Sequence, residues 1–145
     1  MPLVWNSELA TGNRPIDEQH RRLFQLFNDL DGAVGRDRGE REVSRTITAL
    51  SVYVVAHFQM EEDLMRQGGY PGLATHQVAH QLMKIQVEDM VDQYESMRRD
   101  PVRVMRVLEQ WLVEHVQKED RAMAQWLFAP WDPAGPGARA GHKQP

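Results

Sequence analysis

Residues 57–80 read HFQMEEDLMRQGGYPGLATHQVAH. The stretch carries two pairs of metal-ligand side chains at helical spacing, His57 with Glu61 and His76 with His80, on either side of Gly68-Gly69-Tyr70-Pro71-Gly72. An α-helix advances about 100° per residue, so side chains four apart share one face and can reach one point in space. Clustered Gly and Pro favour turns and stop helices. The stretch therefore reads as helix, tight turn, helix, with a ligand pair on each helix aimed at a common interior.

The helical period continues on both sides. The helix that contains His57 starts near Glu40 and carries Val43, Ile47, Leu50, Val54, Phe58, Met60 and Leu64 on its apolar stripe, ending at about Gln67. The one that contains His76 runs from about Leu73 to Met97. Upstream, the pattern becomes helical from Asp17, with Leu23, Phe24, Leu26, Phe27 and Leu30 recurring at three and four, and Gly32, Gly35 and Gly39 closing it. Downstream, Asp100-Pro101 reads as N-cap and first helical residue of a segment through Val104, Leu108, Trp111, Leu112, Val116 and Met123 to about Leu127. Four long helices with short connections must run antiparallel to their neighbours, so the expected fold is all-α, an up-down-up-down four-helix bundle.

Around this bundle, placed at residues 16–128, residues 1–15 with Pro2, Gly12 and Pro15 read as an extended arm pinned by Trp5. Residues 129–145, rich in Pro and Gly, are expected to be disordered, and His142 falls there, away from the other histidines. No strand signal or internal repeat competes with this reading.

The remaining histidines complete a pattern: His20 on the first helix, and His115 with Asp120 on the fourth. Imidazole and carboxylate together suit iron, zinc, copper or nickel, whereas calcium and magnesium prefer all-oxygen shells. Five imidazoles and two carboxylates are too many donors for one ion, while two ions sharing carboxylate bridges would use all seven. A dinuclear centre is the economical reading. His115 and Asp120 lie five apart, about 140° around a regular helix, so either Asp120 reaches in from the flank or a one-residue π-bulge lies near Val116 to Glu119. Glu62 and Asp63, beside Glu61, are read as solvent-facing or, second in preference, as partners that orient a ligand imidazole.

Composition narrows the function. A chain of 145 residues, 41% hydrophobic and 26% charged, makes one ordinary domain that buries roughly two-thirds of its unfolded surface. A net charge of −4 argues against nucleic acid, which needs clustered cations on one face. The Arg-rich run Arg36 to Arg45 is cut by Asp37, Glu40 and Glu42 and reads as a solvated turn and helix start. The absence of cysteine excludes disulfides, thiolate zinc sites and ordinary iron–sulfur clusters, leaving His and carboxylate as ligands. The N-terminus MPLVWNSELATG lacks a leader pattern, and no apolar run approaches a membrane span. The expected compartment is the cytoplasm, and the expected state is a monomer.

Asp17-Glu18-Gln19-His20, His57-Phe58-Gln59-Met60-Glu61-Glu62, Gly69-Tyr70-Pro71 followed by His76 and His80, and Trp111-Leu112 followed by His115 and Asp120 occur in that order. In these motifs the chain resembles the hemerythrin family, specifically its single-domain bacterial members, over roughly residues 3–127. Reversible binding of dioxygen at a non-heme di-iron centre is what this resemblance implies. It implies His76, His80 and His115 on a coordinatively full iron, and His20 and His57 on the iron with an open position. Glu61 and Asp120 would bridge the two, with an oxo or hydroxo group as third bridge. Leu23, Phe58, Trp111 and Val116 resemble the family's apolar oxygen pocket.

The ligand set is rich in neutral imidazole and contains no Glu-x-x-His pair of the kind found in bundle di-iron oxidases. Dioxygen is therefore expected to be held rather than cleaved, in a pocket dry enough to prevent its loss as a reduced product. Carriage, storage or delivery of dioxygen to an oxygen-using or respiratory protein is the leading function, preferred because no output segment is evident. The alternative is an oxygen, redox or nitric-oxide sensing domain acting through a partner. No acid or base beyond the ligands is evident, so no enzyme is expected. Because ligands must be deprotonated, metal should be lost as pH falls toward about 6 and below.

Overall fold

A computed structural model describes residues 3–35, 39–95 and 101–128. Helix α1 spans Arg14–Gly35, α2 Glu40–Gly68, α3 Leu73–Glu95 and α4 Pro101–His115. A π-helical segment, Val116–Asp120, then leads into α5, Arg121–Phe128. Backbone angles stay right-handed helical on both sides of the π segment, at His115 and Arg121, so α4, the π segment and α5 form one rod. This rod is the fourth helix of an antiparallel up-down-up-down bundle. In it α1 packs along α2 and α2 along α3, and the rod closes the bundle against α1, α2 and α3.

Helix α1 starts at Arg14, earlier than the apolar period suggests, because local capping sets the boundary. The Ile16 N–H donates to Asn13 Oδ1 at 3.1 Å, which makes Asn13 the N-cap. Pro15 sits in the first turn, where its missing N–H costs nothing. Helix α2 ends in a Schellman motif: Gly69 is left-handed (φ 68°) and its N–H reaches Arg66 O, while the Tyr70 N–H reaches Met65 O at 2.9 Å. The proposed N-cap Asp100, the C-terminal end of the third helix beyond Glu95, part of the Arg36–Arg45 turn, and residues 129–145 with His142 lie outside the described residues.

The core has two apolar layers of unequal size. The larger contains Leu23, Phe27 and Leu30 of α1, Ile47, Val54 and Phe58 of α2, Met83, Val87 and Met90 of α3, and Leu108 and Leu112 of α4. The smaller contains Ile16, Met65, Met123 and Ala124. Between them every helix contributes buried polar side chains: His20, His57, Glu61, His76, His80, His115 and Asp120. The candidate site is thus a polar layer crossing the middle of the bundle.

The arm is fastened over one side of this layer. The Leu3 N–H donates to Asn28 Oδ1 at 2.7 Å, and Asn28 Nδ2 donates back to the Leu3 carbonyl at 2.9 Å. The Thr11 N–H and Oγ1–H both donate to Asp17 Oδ1. Arg121 Nη1 donates to the Glu8 carbonyl at 3.2 Å. Between these ties Trp5 packs edge-on against Phe24, with ring centroids 5.5 Å apart, and lies 6.3 Å from the His20 ring. Arg21 covers its other side at 5.2 Å, a cation–π distance.

Candidate metal centre

The four-residue spacings do what helix geometry requires. On α2, His57 and Glu61 face inward together, with Nε2 and Oε1 2.8 Å apart. On α3, His76 and His80 do the same, with ring centroids 4.5 Å apart. On the fourth rod the five-residue spacing of His115 and Asp120 is accommodated by the π segment, where the Arg121 N–H reaches Val116 O, five residues back. A π-turn closes i to i+5, so residues five apart fall on one face. Asp120 Oδ1 accordingly lies 2.9 Å from His115 Nε2. Of the two arrangements open to Asp120, the structure has the bulge.

Seven buried side chains converge as two groups that share two members. Donor atoms of Glu61, His76, His80, His115 and Asp120 all lie within 4.8 Å of one another, as do those of His20, His57, Glu61 and Asp120. The shared carboxylates divide their oxygens between the groups. Glu61 Oε1 is 2.8 Å from His57 Nε2 and 3.2 Å from His20 Nε2, while its Oε2 faces His80 Nε2 at 3.2 Å and His76 Nε2 at 3.7 Å. Asp120 Oδ2 is 3.0 Å from His20 Nε2, and its Oδ1 is 2.9 Å from both His76 and His115 Nε2.

This arrangement fits cations. His115 Nε2 lies 3.2 Å from His76 Nε2 and 3.1 Å from His80 Nε2, so three nitrogens with at most one proton each meet where no water can reach them. Glu61 Oε2 and Asp120 Oδ2 are buried with only imidazole nitrogens beside them, none of them aligned as a hydrogen-bond donor. Buried carboxylates are costly unless positive charge compensates them. In the absence of metal, protons take that role. Burial alone would lower the His20 imidazole, but the carboxylates of Asp120 and Glu61 outweigh it and raise its pKa to about 10. His115 is also raised against the effect of burial, chiefly by Asp120. Burial and the neighbouring Asp120 both push Glu61 up, yet His57 and His20 hold it below the ordinary carboxylate range. Asp120 is likewise held well below its range, by His115, His20 and His76 acting against burial.

The outward ring nitrogens decide which face of each imidazole is free. His57 Nδ1–H donates to Gln19 Oε1 at 2.7 Å, and His80 Nδ1–H donates to Glu62 Oε1 at 3.0 Å. A proton fixed on Nδ1 leaves the Nε2 lone pair pointing into the site. Glu62 therefore does not face solvent as its place in the Glu-Glu-Asp run suggests: it leans across to α3. Asp63 does sit at the surface, against Arg66 and Gln59. Gln19 was not singled out for this role from sequence, and its only signal there is its place beside His20. The side chains proposed as apolar lining lie in or against the larger layer. Leu23, Phe58 and Val116 are buried and Trp111 is half-buried. Phe58 stacks on His80 with centroids 3.9 Å apart, and Trp111 on His115 at 4.5 Å.

With this geometry in view, a family profile described as "Hemerythrin HHE cation binding domain" matches residues 11–127. The chain is 31% identical over 128 residues to a protein named Bacteriohemerythrin from Stenotrophomonas maltophilia strain R551-3, covering 88% of this chain and 82% of that one. It is 30% identical over 133 residues to another of that name from Methylococcus capsulatus, covering 88% and 98%. A crystal structure of wild-type hemerythrin superposes with a TM-score of 0.82 at 28% identity, covering 89% of this chain and all of that one.

Proposed function

The chain belongs to the hemerythrin family, and from that premise we propose that it binds dioxygen reversibly at a centre of two non-heme irons, to carry, store or deliver it. One observation carries the reading: Glu61 and Asp120 each turn one oxygen to the His20 side and the other to the His76 and His80 side. Two carboxylates so disposed could each be shared by a pair of ions, and an oxo or hydroxo group would supply the remaining link between them. Two ferrous ions held there would supply the electrons that dioxygen takes up on binding.

The protein's part is to hold, orient and keep dry. Five donors serve one position and four the other, so the His20 and His57 end has room for an exogenous ligand. Leu23, Phe58, Trp111 and Val116 form an apolar wall against the polar layer, which disfavours water and protons that would release dioxygen in reduced form. Among the described residues, the acids nearest the ligands, Glu62 and Glu119, address outward imidazole nitrogens, and the role we infer is non-enzymatic. No described helix is long and apolar enough to cross a membrane. We place the protein in the cytoplasm as a monomer that passes dioxygen to an oxygen-using or respiratory protein.

A sensing role is a second reading, favoured by the arm: Trp5 touches the His20 helix, and Arg121, next to Asp120, holds the arm's backbone at Glu8. Anaerobic reconstitution with ferrous iron separates these readings. Carriage requires two irons per chain and a charge-transfer band that appears with oxygen and disappears on its removal. A band that forms but does not reverse favours sensing. Fewer than two irons and no band refute the di-iron reading.

A further inference from the structure

The inward nitrogens of the imidazoles are alike, but their outward partners are not. At the His20 and His57 end, His57 donates to the neutral amide of Gln19. At the other end, His80 donates to the carboxylate of Glu62. Glu62 is itself fixed: its second oxygen accepts from Gln77 Nε2 at 3.4 Å, and its side chain is only 19% exposed, so water screens its charge poorly. Glu119, near His115 Nδ1, is farther away at 3.6 Å and 42% exposed, and contributes less.

An anionic acceptor draws the Nδ1 proton toward itself and leaves more electron density on Nε2, which makes that imidazole a stronger donor. A neutral amide orients the ring to the same degree without that added charge. We propose that Glu62 is a positioning residue which, acting through His80, makes the His76, His80 and His115 end the tighter and more electron-rich of the two metal positions. Gln19 is its neutral counterpart and keeps the His20 and His57 end the weaker one. The built-in difference anchors one ion and leaves the other free to take and release an exogenous ligand. The inference rests on the two-ion reading of the same site.

The test uses the full chain as wild type, Glu62→Gln, Glu62→Ala and Gln19→Glu. Metal-free protein is titrated with Co²⁺ against a competing chromophoric chelator, which resolves two stepwise constants without iron or oxygen chemistry. Loss of an outer partner typically weakens metal binding roughly 10-fold or more. Glu62→Gln is therefore expected to weaken the tighter step by about that factor, nearly as much as Glu62→Ala, and to leave the weaker step within about twofold. Gln19→Glu is expected to tighten the weaker step instead. In iron-loaded protein, Glu62→Gln should raise the one-electron potential, a tenfold change corresponding to about 59 mV. A Glu62→Gln protein that matches wild type while Glu62→Ala does not would overturn the proposal, because a neutral acceptor would then suffice. Equal movement of both steps in either single variant would overturn it as well. If Co²⁺ behaves as expected but the iron-loaded wild type shows no oxygen-dependent band, the oxygen-binding reading fails and the assignment of Glu62 stands.

Discussion

Stripped of metal by a chelator, the chain should lose stability as pH rises from about 6.5 to 10. His20 is fully buried between Asp120 and Glu61, and its pKa rises from the ordinary 6.5 to about 10. A group raised in this way favours the fold in its protonated form. Its contribution is complete below pH 6.5 and is lost as pH climbs through 10. At about 1.4 kcal/mol per tenfold, the difference is worth up to about 5 kcal/mol. That is a ceiling, because His115, raised by the same two carboxylates, can take over part of the pairing. Against a typical total of about 5–15 kcal/mol it is a large fraction, and for a chain of this size it corresponds to a fall in Tm of about 10–20 °C. Glu61 and Asp120 work in the opposite sense: their depressed pKa values contribute stability that is lost on acidification. The metal-free protein should therefore be most stable between about pH 4.5 and 6.5. Thermal melts followed by circular dichroism across pH 5–10 measure this directly, with His20→Gln expected to flatten the alkaline limb. A wild-type Tm that stays level or rises over that range would refute the account of His20 as the proton that stands in for metal charge. Loaded protein should show the reverse slope, since metal competes with those protons and binds better as they leave.

Three further outcomes follow from specific contacts. Glu61→Gln keeps the side chain's size but removes the charge proposed to be shared by two ions, so metal per chain measured by atomic emission should fall to one or less with helical content retained. Met65→Ala empties a fully buried place in the smaller apolar layer and should cost about 2–5 kcal/mol in urea unfolding, a value below about 1 kcal/mol implying that the layer collapses around it. Gly69→Ala places a Cβ in a left-handed conformation and should cost about 1 kcal/mol by the same assay, with Gly69→Asn costing less.

What could be read from the sequence was whatever depends on spacing along one helix. His57 with Glu61 and His76 with His80 share faces because four residues nearly complete a turn, and even the misfit of five between His115 and Asp120 carried information, since it pointed to the π segment. What could not be read depends on which neighbouring helix a side chain leans toward. Glu62 looks like part of a solvated acidic run until α3 brings His80 to 3.0 Å from it. Gln19 has no charge or period to mark it, and only the packing of α1 on α2 sets it 2.7 Å from His57. The start of α1 at Arg14 was hidden for a different reason: it is fixed by Asn13 as cap, a local hydrogen bond that leaves no trace in the apolar pattern.

The polar layer also has a consequence for how the molecule comes apart. It interrupts the hydrophobic packing and leaves Ile16, Met65, Met123 and Ala124 as a small island beyond it, too small to hold the helix ends together by itself. Without metal to clamp the middle, the α2–α3 turn and α5 should open as a separate unit ahead of the long end, and their amides should exchange with deuterium first. With the site filled, the two ends should open together. Occupancy of a centre in the bundle's interior would then be legible at the Tyr70 and Trp126 rings, 5.5 Å apart at the far end of the molecule.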